Sequence, residues 1–138
     1  MTRINLINPE ELTDQHLIAE YREITMVPAA LKRTINSKAG FNIEQIPKKF
    51  TLNKGHVKFF YDKGLYLNKR YHQLVEEMKK RGFQPNKKRT FPKEVFAPNL
   101  YNDWKPNLED EKIIKERIAE KIKMKPQWYK KNGRLIKH

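Results

Sequence analysis

Apolar side chains recur at helical spacing in three stretches of this chain. Leu17, Tyr21, Ile24, Leu31 and Ile35 are separated by three, four or seven residues, which predicts a long first helix that starts near Asp14. Pro28 falls inside it and is expected to kink it, because the ring removes one backbone donor. Glu23 then lies near the middle of that helix. A second helix is predicted from about Gly64 to Arg81, with Leu67, Tyr71, Leu74, Val75 and Met78 turned inward. Gly82 supplies a left-handed cap after it and Phe83 the hydrophobic clasp. The third helix opens on Asn107 as N-cap and sets Glu109, Asp110 and Glu111 against the positive end of the helix dipole. It carries Ile114, Ile118 and Ile122 to a stop before Pro126.

Residues 37–60 and 83–106 show no strand alternation and are rich in Pro, Asn, Lys and aromatics. Phe41, Phe50, Phe59, Phe60, Phe91, Phe96 and Trp104 are too many rings for a disordered linker, so these segments are expected to be packed loops covering a helical core. With no internal repeat or low-complexity tract, the pattern predicts an all-α fold: one compact domain over residues 1–138, with three main helices and long packed loops.

A chain of 138 residues has room for one real core and not for two independent ones. Its 30 Lys and Arg against 16 Asp and Glu give a net charge of +14, which calls for a polyanionic partner. Nucleic acid comes first. An anionic membrane comes second, but no segment approaches the ~20 apolar residues of a span, and no apolar signal region is present. The chain is therefore expected to be soluble and cytoplasmic. It has no cysteine, and His16, His56, His72 and His138 are scattered, so neither a disulfide framework nor metal dependence is expected. The charge is patterned. Lys79, Lys80, Arg81, Lys87, Lys88, Arg89 and Lys93 form a run with no acid among them, and nothing after Glu120 is acidic, whereas residues 1–23 are net acidic. A single basic run is as well explained by solvation as by a ligand. Several runs in one chain favour nucleic acid.

The five glycines are isolated and form no phosphate-binding loop, and Ser37 is the only serine, so nucleotide hydrolysis and a serine triad are both excluded. What remains is an amine, a carboxylate and cations. Thr2 is small, so removal of Met1 would leave a free α-amine beside Arg3. Such an amine titrates near ~8 rather than the ~10.4 of lysine, and is nucleophilic at neutral pH without burial. Arg22 and Glu23 are neighbours and diverge by about 100° on a helix, so pairing with each other is not their evident purpose. Arg117 and Lys121 share a helix face and could span successive phosphates, although spacing alone favours pairing with Glu116 or Glu120, or solvation. Trp128 and Tyr129, followed by Lys130, Lys131 and Arg134, suit stacking on nucleic acid and equally suit pinning the tail to the core. Gln15 and His16 read either as site residues or as ordinary side chains at a helix start.

Taken together, Met1 to Leu6 (MTRINL), Asp14 to His16 (DQH), Ala19 to Glu23 (AEYRE), Gly55 to Lys63 (GHVKFFYDK), Lys80 to Phe83 (KRGF), Pro126 and Trp128 to Lys130 (WYK) resemble the bacteriophage-type pyrimidine-dimer DNA glycosylase/AP lyase family. Arg117 and Lys121 fall in register with it, and the resemblance spans nearly the whole chain. It implies a mostly helical domain acting on damaged double-stranded DNA, as a monomer and without metal or diffusible cofactor. The amine of Thr2 would attack the sugar's anomeric carbon, expel the base and form an imine. Glu23 would do the acid/base work leading to β-elimination. Arg22 and Arg3 would orient the lesion through phosphates, Gln15 and His16 would line the site, and Arg117, Lys121, Trp128, Tyr129 and Lys130 would hold DNA.

Two departures bear on lesion range. Met26 stands where the family's phage representative carries an active-site arginine, leaving that contact absent or supplied by Lys32 or Arg33, and the residues after Tyr129 are less rich in tyrosine. The same amine chemistry could serve abasic sites or ring-opened purines, and a non-catalytic nucleic-acid-binding protein could keep the fold and charge.

Overall fold

A computed structural model describes residues 2–135. Most of the chain is helical: α1 (Asp14–Glu23), α2 (Met26–Ile35), the single-turn α3 (His56–Phe59), α4 (Gly64–Lys80) and α5 (Leu108–Met124). The expected long first helix is two helices. The break falls at Ile24 and Thr25, ahead of Pro28 and not at it. Proline's ring collides with the carbonyl four residues back, here that of Ile24, and it has no N–H to give that carbonyl. Within α2, Pro28 is the third residue, where the missing donor is one that a helix start leaves unpaired anyway. Glu23 consequently ends α1 instead of lying mid-helix.

The other two predicted helices form at the expected places. α4 ends in a Schellman motif: Gly82 adopts φ +85°, its N–H donates to Lys79 O at 3.1 Å, and Phe83 N–H donates to Met78 O at 2.9 Å. α5 begins with a reciprocal capping box between Asn107 and Asp110. The long segments pack as loops with short 3-10 turns, and α3 is an added helical turn within them. Phe50, Phe59, Phe60, Phe91 and Phe96 are buried, and Trp104 packs edge-on to Phe59 at 5.1 Å and Phe60 at 5.8 Å. Gly64 opens α4 where the 93–101 loop crosses so closely that a Cβ would meet the Phe96 ring at 2.6 Å.

One hydrophobic core runs from Ile4, Leu12 and Leu17 through Ile24, Leu31, Leu67 and Leu74 to Ile114. α1 packs on α4, with Tyr21 and Tyr71 stacked at 5.8 Å. The tail adds an unpredicted feature, a two-stranded hairpin of β1 (Lys130–Lys131) and β2 (Arg134–Leu135). Asn132 and Gly133 turn it with φ of +53° and +78°. Asn-Gly is the dipeptide that such a turn selects, and it was the signal available in the sequence. Among the described residues no helix is long and apolar enough to cross a membrane.

Candidate active site

The first residues run as an extended segment over α1, and three successive backbone N–H groups are held by three different side chains. Arg3 N–H donates to Glu23 Oε1 at 3.0 Å, Ile4 N–H to His56 Nε2 at 2.9 Å, and Asn5 N–H to Glu20 Oε1 at 3.0 Å. In an extended chain alternate groups point to opposite sides. Residues 3 and 5 therefore meet one face of α1, where Glu20 and Glu23 sit a turn apart, and residue 4 meets α3 from the other side. Leu6 then takes a left-handed φ of +56°, and Ile7 N–H bonds Asn5 O across it. Arg70 locks this turn by donating to Ile7 O while gripping Glu20 in a fork, Nε to Oε2 at 2.6 Å and Nη2 to Oε1 at 3.0 Å. Both side chains of that pair are buried.

The α-nitrogen of Thr2 is three covalent bonds from the Arg3 nitrogen that Glu23 holds, a separation of at most ~4 Å. Thr2 also places its hydroxyl 3.4 Å from Met26 Sδ at the start of α2. Beside this junction lies a cleft of about 210 Å³ lined by Arg3, His16, Glu20, Glu23, Arg117 and Lys121, with Tyr129 in its wall. His16, Ala19, Glu20 and Glu23 recur at three- and four-residue steps, so one face of α1 forms the floor. Arg117 and Lys121 share the facing side of α5, and among the described residues neither is ion-paired.

The electrostatics follow from burial. Burial raises the Glu23 carboxyl above its ordinary value, against the Arg3 N–H bond and guanidinium, which favour the anion. His16 is pushed down to about 4 by burial and then by Arg117, with Lys121 adding to it, so its ring is neutral at physiological pH. Its Nδ1 lies 2.7 Å from Thr13 Oγ1, the same oxygen that caps α1 by accepting His16 N–H at 3.0 Å. His56 is also pushed down to about 4, first by burial. Its Nδ1 faces Thr51 O at 2.9 Å, so Nδ1 carries the proton and Nε2 is free to accept from Ile4.

The tail closes one side of the site. Tyr129 stacks on His16 with ring centres 4.8 Å apart and planes 7° from parallel. Gln15 is occupied by tail backbone at both ends of its amide, Nε2 to Trp128 O at 2.6 Å and Lys130 N–H to Oε1 at 2.9 Å. Trp128 stays 58% exposed, with Lys125 Nζ 5.8 Å from its ring, and Lys130 is exposed on β1.

The structure thus brings Arg3, His16, Glu23, Arg117, Lys121 and Tyr129 to one cleft, with Thr2 at its margin. It leaves Arg22 exposed on the next face of α1, outside the cleft wall, and turns Gln15 toward the tail. Glu20, Arg70 and His56, which fix the N-terminal segment, were not singled out from the sequence. Their signal was charge and imidazole within otherwise apolar stretches, and that does not show which backbone they will meet. Residues 1–91 of the 138 match the family described as pyrimidine dimer DNA glycosylase. Because that match takes in the gripped N-terminal segment, all of α1 with Glu23, and α4 with Arg70, the chain belongs to the pyrimidine dimer DNA glycosylase family.

Proposed function

We propose that this chain excises ultraviolet-induced pyrimidine dimers from double-stranded DNA and cuts the strand at the resulting site, using the α-amine of Thr2 once Met1 is removed. The observation that carries this is the bond from Arg3 N–H to Glu23 Oε1 at 3.0 Å, which holds a carboxylate next to the residue that would bear the amine. A carboxyl raised by burial is suited to proton transfer near neutral pH.

In this scheme the unprotonated amine attacks C1′ of the damaged nucleotide. The glycosidic bond breaks, and the base leaves with the bonding pair and takes up a proton. Glu23 stabilises the positive charge that develops on the sugar. The sugar ring opens to an imine, Glu23 removes a proton from C2′, and the electron pair expels the 3′ phosphate by breaking C3′–O. Water then hydrolyses the imine and frees the amine. Arg117 and Lys121 bind phosphates around the cleft that Arg3, buried with its Nη1 on Leu52 O, helps to line, and Arg22, Trp128 and Lys130 extend contact to the flanking duplex. Unstacking is cheapest where damage has weakened the duplex, so extrusion of a nucleotide contributes to lesion recognition. The protein works as a monomer in the cytoplasm.

Borohydride reduction in the presence of irradiated or abasic duplex tests the scheme. The expected result is a covalent adduct at Thr2 with both substrates. An adduct with abasic DNA alone would restrict the activity to lyase chemistry, an adduct at a lysine would refute the α-amine, and no adduct with either would refute the enzyme assignment.

A further inference from the structure

Three adjacent residues at the start of α1 hold the tail. Asp14 Oδ1 accepts Asn132 N–H at 2.9 Å and its Oδ2 accepts Gly133 N–H at 2.8 Å. Gln15 takes Lys130 N–H and Trp128 O, and His16 stacks on Tyr129. Asp14 is fixed from behind by Arg81, whose Nη1 donates to Oδ1 at 2.9 Å and whose Nε donates to Glu77 Oε2 at 2.8 Å. Arg81 belongs to the basic run of the sequence, yet its side chain is only 1% exposed and braces Asp14.

We infer that Asp14 is a positioning residue for the tail: by clamping the Asn132-Gly133 turn against Arg81 it sets Tyr129 as a wall of the lesion cleft. The inference rests on the DNA-processing role proposed for that cleft. The two consecutive left-handed residues of this turn present the Asn132 and Gly133 N–H groups to one side, where the two oxygens of the Asp14 carboxylate accept them. Hydrogen bonds to an ionised acceptor are the stronger kind. Beyond these contacts and those of Gln15 and His16 little holds this segment, since Trp128 and residues 130–134 are exposed. A polar latch therefore decides where the tail lies. Asp14 touches no part of the cleft itself and acts through Tyr129 and Lys130.

The test uses full-length Asp14→Asn and Asp14→Ala proteins, with two readouts. Amide exchange at Asn132 and Gly133 is expected to speed up ~10-fold or more while α4 amides keep their protection, as befits a local opening. On irradiated duplex kcat/KM is expected to fall ~10-fold, mainly through KM, and the Asp14→Ala/Tyr129→Ala double variant should be no worse than Tyr129→Ala alone, because coupled residues do not add. Unchanged exchange at the turn, or independent multiplicative losses in the double variant, would overturn the inference. Should Asp14→Ala fail to fold, Asp14→Asn keeps one acceptor for the turn and loses the charge facing Arg81, so both readouts remain. Absence of a borohydride adduct in the wild-type protein would refute the enzyme assignment instead, and the exchange result would still decide what holds the tail.

Discussion

Nε2 of His56 accepts the backbone N–H of Ile4 at 2.9 Å, a bond that only the neutral ring can make from that nitrogen. It sits between the two carboxylate contacts to Arg3 and Asn5, so the N-terminal segment is held from both sides at successive residues. An acceptor that titrates ties the placement of the N-terminus to pH.

Stability should accordingly fall in acid. His56 is held at about 4 in the fold against 6.5 for the free side chain, so between those values the unfolded chain binds more protons. The contribution is complete above pH 6.5 and is lost as pH falls toward 4, and the shift corresponds to up to about 3 kcal/mol. Urea unfolding at pH 7 and 4.5 checks this. The His56→Gln protein is expected to be less stable at pH 7 and to lose less on acidification, the remaining slope belonging to His16 and to carboxylates.

Glu20→Gln should destabilise the protein by ~3–5 kcal/mol, because it leaves the buried Arg70 guanidinium without its counter-charge. Replacing both partners with apolar side chains, Glu20→Leu with Arg70→Met, should recover much of the loss in thermal unfolding. The recovered protein is still expected to be a poor enzyme, since Asn5 N–H and Ile7 O lose their partners. Equal activity of the double variant and the wild type would show that the N-terminal segment does not need this clamp.

Glu23→Gln keeps an oxygen for Arg3 N–H and removes the base. Single-turnover base release and strand cleavage should drop by ~10²–10⁴-fold, the usual worth of a general acid–base group, with duplex affinity changed by less than ~3-fold. In the wild type the rate should fall below pH ~8 as the amine is protonated, and fall again through a carboxyl raised above the ordinary ~4.3, because protonation there removes the base. A Glu23→Gln protein that retained the lower of these two limbs would assign it to another group.

Arg117→Ala and Lys121→Ala should each weaken duplex binding without regard to sequence and reduce the slope of log affinity against log salt by about one. Titration of fluorescent duplex at several salt concentrations measures it. Both cations face the cleft without a carboxylate partner among the described residues, so neither substitution leaves an internal charge unpaired. Thermal stability should therefore hardly change.

Much of the fold and part of the site were legible in the residues alone. α4 and α5 lie where periodicity and caps placed them, since an amphipathic stripe, a capping box and a glycine after the last turn are local signals. The proline pattern points to a kink at Pro28, whereas the helix breaks at Ile24 and Thr25 because the ring's steric effect reaches back to the carbonyl of Ile24. Arg117 and Lys121 were legible as a pair on one face, but their lack of an ion-pair partner among the described residues was not, because spacing alone favours pairing with Glu116 or Glu120, or solvation.

The sequence by itself determined where α4 and α5 start and stop, the excess of positive charge, and the presence of a threonine and a carboxylate at residues 2 and 23. Only the tertiary structure decided that Glu23 holds Arg3, that His56 and Glu20 hold the next two residues, and that Asp14 and Gln15 hold a tail more than 110 positions away. The physical reason is range. Periodicity and capping act within a few residues of one another, whereas a buried donor takes whichever acceptor the packed chain brings within about 3 Å.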